Sequence, residues 1–154
     1  MIGLIEIGIE SLKEVIMALT KKSRTKNIQK QQLIREIRNN LKILNHRGKR
    51  EVNVSALIES LSNQAISEAY KSGFNFNKLS KGEIPKKIIY NPRCSKYTGW
   101  DCKKMIRGID AKISELKQLP VLYKDFETAN INITLRLSNL YHQLTLLAIF
   151  IKED

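Results

Sequence analysis

The sequence predicts an all-α protein, an antiparallel bundle of four to five helices with a long basic loop before the penultimate helix and a long C-terminal helix. Apolar residues recur every three or four positions in five segments, which is the period of an amphipathic helix. Glycine, proline and asparagine lie between those segments, where they begin or end helices. The length of 154 residues suits one domain, so we expect residues 1–154 to form a single bundle with about 60% helix or more.

The N-terminal part predicts one helix and a linker. Residues 2–19 place isoleucine and leucine on one side at helical spacing, which predicts an amphipathic first helix. Glu6, Glu10 and Glu14 fall on one flank of that helix. Residues 20–27 are polar and basic without any period, and therefore predict a linker.

The next part predicts two further helices. The apolar period of residues 28–44 predicts the second helix, and the segment 45–50 ends it with a glycine and three cations. A third helix is expected to begin at a cap formed by Asn53 or Ser55. We expect it to end near Gly73, because glycine is common just beyond a helix C-terminus.

Residues 74–99 show no helical period and predict a long loop, with no sheet beyond a short extended pair near residues 86–90. Thr98 or Asp101 is expected to cap the fourth helix, and Pro120 marks its end or the start of the next.

The C-terminal segment 122–151 has the most persistent helical period and predicts one long helix or two helices in line. A helix that is apolar on two sides is either central in a bundle or shared with a partner. This helix is therefore a candidate contact for an oligomer or a complex. Its second apolar side consists of Ile131, Leu135, Leu146 and Ile149.

The net charge of +12 is unusual, and two segments account for it. Residues 20–50 contain eleven lysines and arginines and one acid, Glu36. Residues 78–107 contain nine basic residues and two acids, Glu83 and Asp101. Such a field attracts polyanions, so the expected partners are nucleic acid or an acidic protein.

Arg35, Arg38 and Lys42 share a narrow arc of the second helix, on the side opposite its apolar stripe. Arginines at this spacing can contact adjacent phosphates and gain affinity by releasing counterions. A merely solvated charged face is the alternative. The basic turn that follows the helix extends this predicted nucleic-acid surface with Arg47, Lys49 and Arg50.

Aromatic and basic residues alternate in and after the long loop. Aromatic rings can stack on unpaired bases while cations contact the backbone, so this region is the second predicted nucleic-acid surface. Alternatively, the aromatic rings fix the loop to the bundle. The predicted contact residues here are Lys86, Lys87, Arg93, Lys96, Tyr97, Trp100, Lys103 and Arg107.

No pattern indicates a metal site, a cofactor or a nucleotide fold. Cys94 and Cys102 are too widely spaced for a typical zinc ligand pair, and His46 and His142 have no partner at ligand spacing. Neither a P-loop nor GxGxxG is present. The few cysteines and the lack of a signal peptide predict a cytoplasmic protein. Residues 2–19 contain too many charges for a transmembrane helix.

One short segment suggests catalysis. Arg136 and His142 are separated by five residues, which looks like the Arg, four to six residues, His signature of HEPN ribonucleases, a family of small helical bundles. The resemblance implies an RNA-cleaving cleft at a dimer interface, lined by these two side chains and needing no metal. The residue after the family's arginine is often polar but is Leu137 here. A half-buried structural histidine is the alternative, because apolar residues surround His142 in the helical pattern.

Three functions remain open from the sequence. We favour a non-enzymatic helical module that binds nucleic acid, with RNA or single strands preferred over duplexes. The first alternative is a small subunit of a bacterial or phage protein or ribonucleoprotein assembly, for example a complex of antiviral defence or counter-defence. The second is a HEPN-like ribonuclease.

Overall fold

The structure is a computed structural model that describes residues 12–49 and 51–154. Within these residues the chain forms six α-helices and no strand, and helical segments make up 68% of what is described. The predicted all-helical fold is therefore confirmed. The helices are α1 (Leu12–Lys22), α2 (Ile28–Leu44), α3 (Val54–Ser60), α4 (Gln64–Lys71), α5 (Cys102–Leu122) and α6 (Ile133–Lys152).

The first two helices follow the local sequence signals closely. Helix α2 has the predicted bounds, and the Asn27 side chain accepts a hydrogen bond from the Lys30 N–H at 3.1 Å, which caps its N-terminus. Helix α1 continues to Lys22, so the connection to α2 begins three residues later than predicted. The part of the predicted first helix before Leu12 lies outside the described residues.

The predicted third helix is two helices, α3 and α4, separated at residues 61–63. Asn53 caps α3, as predicted, by accepting from the Ala56 N–H at 3.1 Å. The break is stabilised from α2, because the Asn40 side chain exchanges two hydrogen bonds with the backbone of Ser62, at 2.7 and 3.0 Å. A tertiary contact thus replaces the helical hydrogen bonds that a continuous helix would form there.

The segment between α4 and α5 contains three short 3-10 turns, Phe76–Lys78, Lys86–Ile88 and Pro92–Tyr97. The predicted extended pair near residues 86–90 is wrong, since that part of the segment forms one of these turns. An isolated antiparallel bridge joins Glu83 to Asp101 instead. Buried Phe76, Leu79 and Ile84 anchor the segment to the bundle.

The prediction that the last helix begins near residue 122 is wrong. Helix α5 ends at Leu122 with Pro120 in its final turn, and α6 begins only at Ile133. The intervening residues form local turns, in which Asp125 accepts hydrogen bonds from the Thr128 hydroxyl at 2.8 Å and the Glu127 N–H at 3.0 Å. Asn130 adopts a positive φ of 58°, which helical backbone excludes.

Helix α6 is the central helix of the described fold. It packs against α1, α2 and α5 and against two of the 3-10 turns. Leu140, Leu144 and Leu146 are each 0% exposed. Of the four residues predicted to contact a partner, Leu146 is in the core, and Ile131 and Ile149 pack against it. Only Leu135, at 44% exposure, remains open to a partner.

Buried apolar side chains from each of the six helices form one core cluster. None of the helices in the described ranges is long and apolar enough to cross a membrane.

Candidate nucleic-acid interface

The outer face of α2 is basic and open to solvent. Arg35 and Lys42 are exposed. Arg38 is half-buried, and its Nη1 donates to the Thr20 hydroxyl at 3.3 Å, which steadies the guanidinium beside α1. We call Arg35, Arg38 and Lys42 the α2 basic face.

The one acid in this basic segment, Glu36, is buried against the start of α4, in the wall of a groove that Arg35 also lines. Its carboxylate accepts hydrogen bonds from the Ser62 hydroxyl at 2.8 Å and from the N–H groups of Ala65 at 2.9 Å and Ile66 at 3.2 Å. It therefore caps the N-terminus of α4. Burial raises the pKa of the Glu36 carboxyl, and the hydrogen bonds oppose that rise. Glu36 is only 8% exposed and forms no ion pair within 4.0 Å with a described cation of the α2 basic face.

The cations in the turn after α2, which are neighbours in the sequence, have different environments. Lys49 is exposed, with Nζ 3.3 Å from His46 Nδ1. Arg47 folds inward: its guanidinium lies 3.7 Å from the centre of the Tyr141 ring, and Nη1 donates to the Leu44 carbonyl at 3.1 Å. Arg50 lies outside the described residues.

The second predicted surface also presents cations to solvent. Its acid Asp101 caps α5 by accepting from the Lys104 N–H at 2.8 Å, so this carboxylate is already engaged in the fold. Arg93 Nη1 donates to the Ser138 hydroxyl of α6 at 3.0 Å. The exposed predicted cations are Lys86, Lys87, Arg93, Lys96, Lys103 and Arg107.

The two aromatic residues predicted to stack on bases have different environments. Tyr97 is only 4% exposed and belongs to the core, so its predicted role in base stacking does not fit the structure. Its ring is nearly perpendicular to that of Trp100, with ring centres 4.9 Å apart, and its hydroxyl accepts from Lys112 Nζ of α5 at 3.3 Å, which fixes the loop to the bundle. Trp100 is half-buried, with Lys104 Nζ 4.4 Å from the centre of its ring. Trp100 alone keeps a partly open ring.

The two basic segments meet beside His142 on α6. Arg47 lies in the turn after α2, and Arg93 lies in the turn Pro92–Tyr97. Burial lowers the pKa of Arg47, and the nearby charge of Arg93 lowers it further. An arginine nevertheless remains cationic at any physiological pH. We call the group made by Arg47, Tyr90, Arg93, Ser138, Tyr141 and His142 the histidine cluster.

The imidazole of His142 is neutral in this setting. Burial lowers the pKa of His142 to about 4, and the charges of Arg47 and Arg93 contribute to that change. The Tyr90 hydroxyl lies 2.8 Å from His142 Nδ1. Among the described residues, no carboxylate lies within ion-pair distance of Arg47 or Arg93. Two guanidinium groups beside a neutral ring therefore favour the binding of an anion.

We expect the lowered pKa of His142 to be measurable by NMR. The His142 ring resonances should titrate with a midpoint near pH 4, because burial disfavours the protonated ring and the two arginines add to that effect. Since the unfolded state takes up this proton at higher pH than the native state, stability should fall as pH drops from about 6.5 toward 4. His142→Gln should flatten that part of the stability profile. A His142 midpoint above pH 6 would contradict the described environment.

The structure does not bring together the two residues of the HEPN-like segment. Arg136 Nη1 pairs with the Glu115 carboxylate of α5 at 3.0 Å. His142 instead contacts Tyr90 of the loop. The cations near His142 are Arg47 and Arg93, which the sequence resemblance does not indicate.

Ion pairing leaves most of the positive charge uncompensated. In residues 12–49 and 51–154, the only cations within 4.0 Å of a side-chain carboxylate are Arg136, beside Glu115, and Lys152, beside Glu14. Tyr90, Ser138 and Tyr141 join the histidine cluster without having been predicted as site residues. No local signal could identify them, because the contacts that define the cluster join residues 45 and 52 positions apart.

Comparisons with protein-family models, with curated proteins and with solved structures found no match to this chain.

Proposed function

We propose that this protein binds nucleic acid without catalysing a reaction on it, and that single-stranded RNA is its preferred ligand. The observation that supports the proposal most strongly is the meeting of the two basic segments at the histidine cluster, where Arg47 contacts Tyr141 and Arg93 donates to Ser138 of α6. Each segment alone is compatible with a solvated surface. Two such segments converge in space, and two of their three acids, Glu36 and Asp101, are engaged as helix caps, while Glu83 is exposed. This arrangement resembles the basic surface of a polyanion-binding protein.

Binding is favoured over cleavage, because Arg136 pairs with Glu115 and His142 contacts Tyr90, so the two HEPN-like side chains do not pair with each other. A ring with a pKa near 4 is a weak proton acceptor at neutral pH, which makes His142 a poor general base. The preference for single strands rests on two features. Trp100 offers a partly open ring for stacking, and the sequence contains no recognised motif for reading the major groove.

Replacing the charges of the α2 basic face should weaken RNA binding by reducing the salt-dependent, electrostatic contribution to the affinity. The triple variant Arg35→Gln, Arg38→Gln and Lys42→Gln keeps helix propensity nearly constant, so the fold should persist. If each side chain contacts one phosphate, the plot of log affinity against log salt should become shallower by about 2 to 3. Anisotropy titrations of a labelled single-stranded RNA at several salt concentrations measure this slope.

A matched control removes the same charge elsewhere. Lys13, Lys71 and Lys124 are exposed cations outside the proposed interface, and replacing all three with glutamine also lowers the net charge by three. That variant should retain nearly the parental salt slope. Equal salt slopes for the parent and the α2 triple variant would show that the α2 basic face is solvated and does not contact RNA.

A second candidate function, a subunit of a larger assembly, is favoured by one apolar patch. Val121 is 85% exposed, Leu122 66% and Tyr123 42%, at the end of α5. An exposed apolar group at a helix end is a candidate protein contact. Size-exclusion chromatography with light scattering distinguishes a monomer that elutes with RNA from a self-associating protein free of it.

A further inference from the structure

A groove of about 400 Å³ opens beside the histidine cluster, between the turn after α2 and the first turns of α6. Its volume lies toward the lower end of the range of small-ligand sites. Most of its wall is apolar. The apolar side chains are Val52, Val54, Leu57, Ile133 and Leu137.

The rim of this groove is cationic and polar. Arg47 and Lys49 line one part of it, and Ser138 lines another. The Ser138 hydroxyl accepts the hydrogen bond from Arg93, so a third cation lies at the same edge. Among the described residues, no carboxylate lines the groove. An apolar wall with a cationic rim complements a flat, weakly polar ring attached to an anion.

We propose that this groove is a nucleotide subsite that takes one unpaired base against its apolar wall and the adjoining phosphate at Arg47, Lys49 and Arg93. The inference rests on the proposed function and adds to it a defined place for one nucleotide. A base inside a duplex is stacked and paired on both sides, so the groove admits a base only from a single strand or a strand end. The subsite therefore supplies a physical reason for a single-strand preference.

Binding of small probes tests the subsite apart from long RNA. Uridine 5′-monophosphate, uridine and inorganic phosphate are titrated separately into the full-length protein and followed by amide NMR. The nucleotide should shift the resonances of Gly48, Leu57, Thr134 and Ser138, which line the groove. Uridine and phosphate should each bind about tenfold more weakly or worse, because each provides only one of the two linked contacts.

Two variants of α6 provide a matched pair. Thr134→Asp places a carboxylate at the groove, and Leu135→Asp places one at the next residue, which does not line it. Both positions lie in the first helical turn, where an acid is favourable, so both variants should fold. We expect Thr134→Asp to weaken nucleotide binding about three- to fivefold and Leu135→Asp to leave it nearly unchanged.

The outcomes separate this inference from the proposed function. If RNA binds with a salt slope that depends on the α2 basic face, while the nucleotide shifts no groove residue, the subsite is wrong and the proposed function stands. If neither RNA nor nucleotide binds, both are wrong. An acidic, leucine-containing peptide serves as a further probe. Shifts of the groove residues by this peptide, without shifts by the nucleotide, would make the groove a protein-docking site and overturn the inference.

Discussion

Leu144→Ala is expected to lower the free energy of unfolding by about 2 to 5 kcal/mol. Leu144 lies on the central helix α6 and is 0% exposed, so truncation removes buried contacts and leaves a cavity that the surrounding helices fill only in part. Leu140→Ala, one turn earlier and equally buried, should have a similar effect. Chemical denaturation followed by circular dichroism measures both.

The matched control is the same change at Leu135, which lies on the same helix but is 44% exposed. Its truncation should alter stability by less than about 1 kcal/mol, as is usual at surface positions. Equal stabilities for the parent and for both core variants would show that α6 is peripheral, contrary to the described packing.

Glu36→Ala is expected to destabilise the protein by about 1 to 3 kcal/mol. The change removes the acceptor of three hydrogen bonds and leaves the N–H of buried Ile66, at the start of α4, without its partner. Glu36→Gln keeps one acceptor oxygen and should cost less. Denaturation curves of the two variants, compared with the parent, give both values.

The contribution of Glu36 to the free energy of unfolding should depend on pH. Because burial raises the pKa of Glu36, the native state holds this proton more tightly than the unfolded state. The contribution of Glu36 to stability therefore declines as pH rises above about 4.5 through the raised value. The stability difference between the parent and Glu36→Gln should shift accordingly, in favour of the glutamine variant at higher pH.

A stability loss in Glu36→Ala too small to measure would show that α4 needs no cap from α2.

The parts of the fold that were predictable depend on neighbouring residues in the chain. Helix α2 has the predicted ends because its apolar period and its Asn27 cap are both local signals. The break between α3 and α4 was not predictable, since the hydrogen bonds that stabilise it come from Glu36 and Asn40, 22 to 30 residues earlier. The late start of α6 was missed because an apolar period continues through residues whose backbone forms turns.

The candidate site likewise has a part that the sequence predicts and a part that it does not. Exposure of Arg35 and Lys42 follows from the helical period alone, because these residues lie opposite the apolar stripe of α2. The inward position of Arg47 over Tyr141 and the burial of Tyr97 depend on packing between distant segments. Sequence reasoning could therefore identify the basic segments, but it could not identify the histidine cluster where they meet.

The central claim is that the uncompensated positive charge binds single-stranded RNA. Fluorescence anisotropy of a labelled 20-nucleotide single-stranded RNA, titrated with nucleic-acid-free protein between about 50 and 200 mM salt, tests it most directly. We expect log affinity to fall linearly with log salt, with a slope of magnitude about 3 or more, and a duplex of the same length to compete less well than the single strand. Absence of binding at the lowest salt, or an affinity that does not change with salt, would contradict the claim.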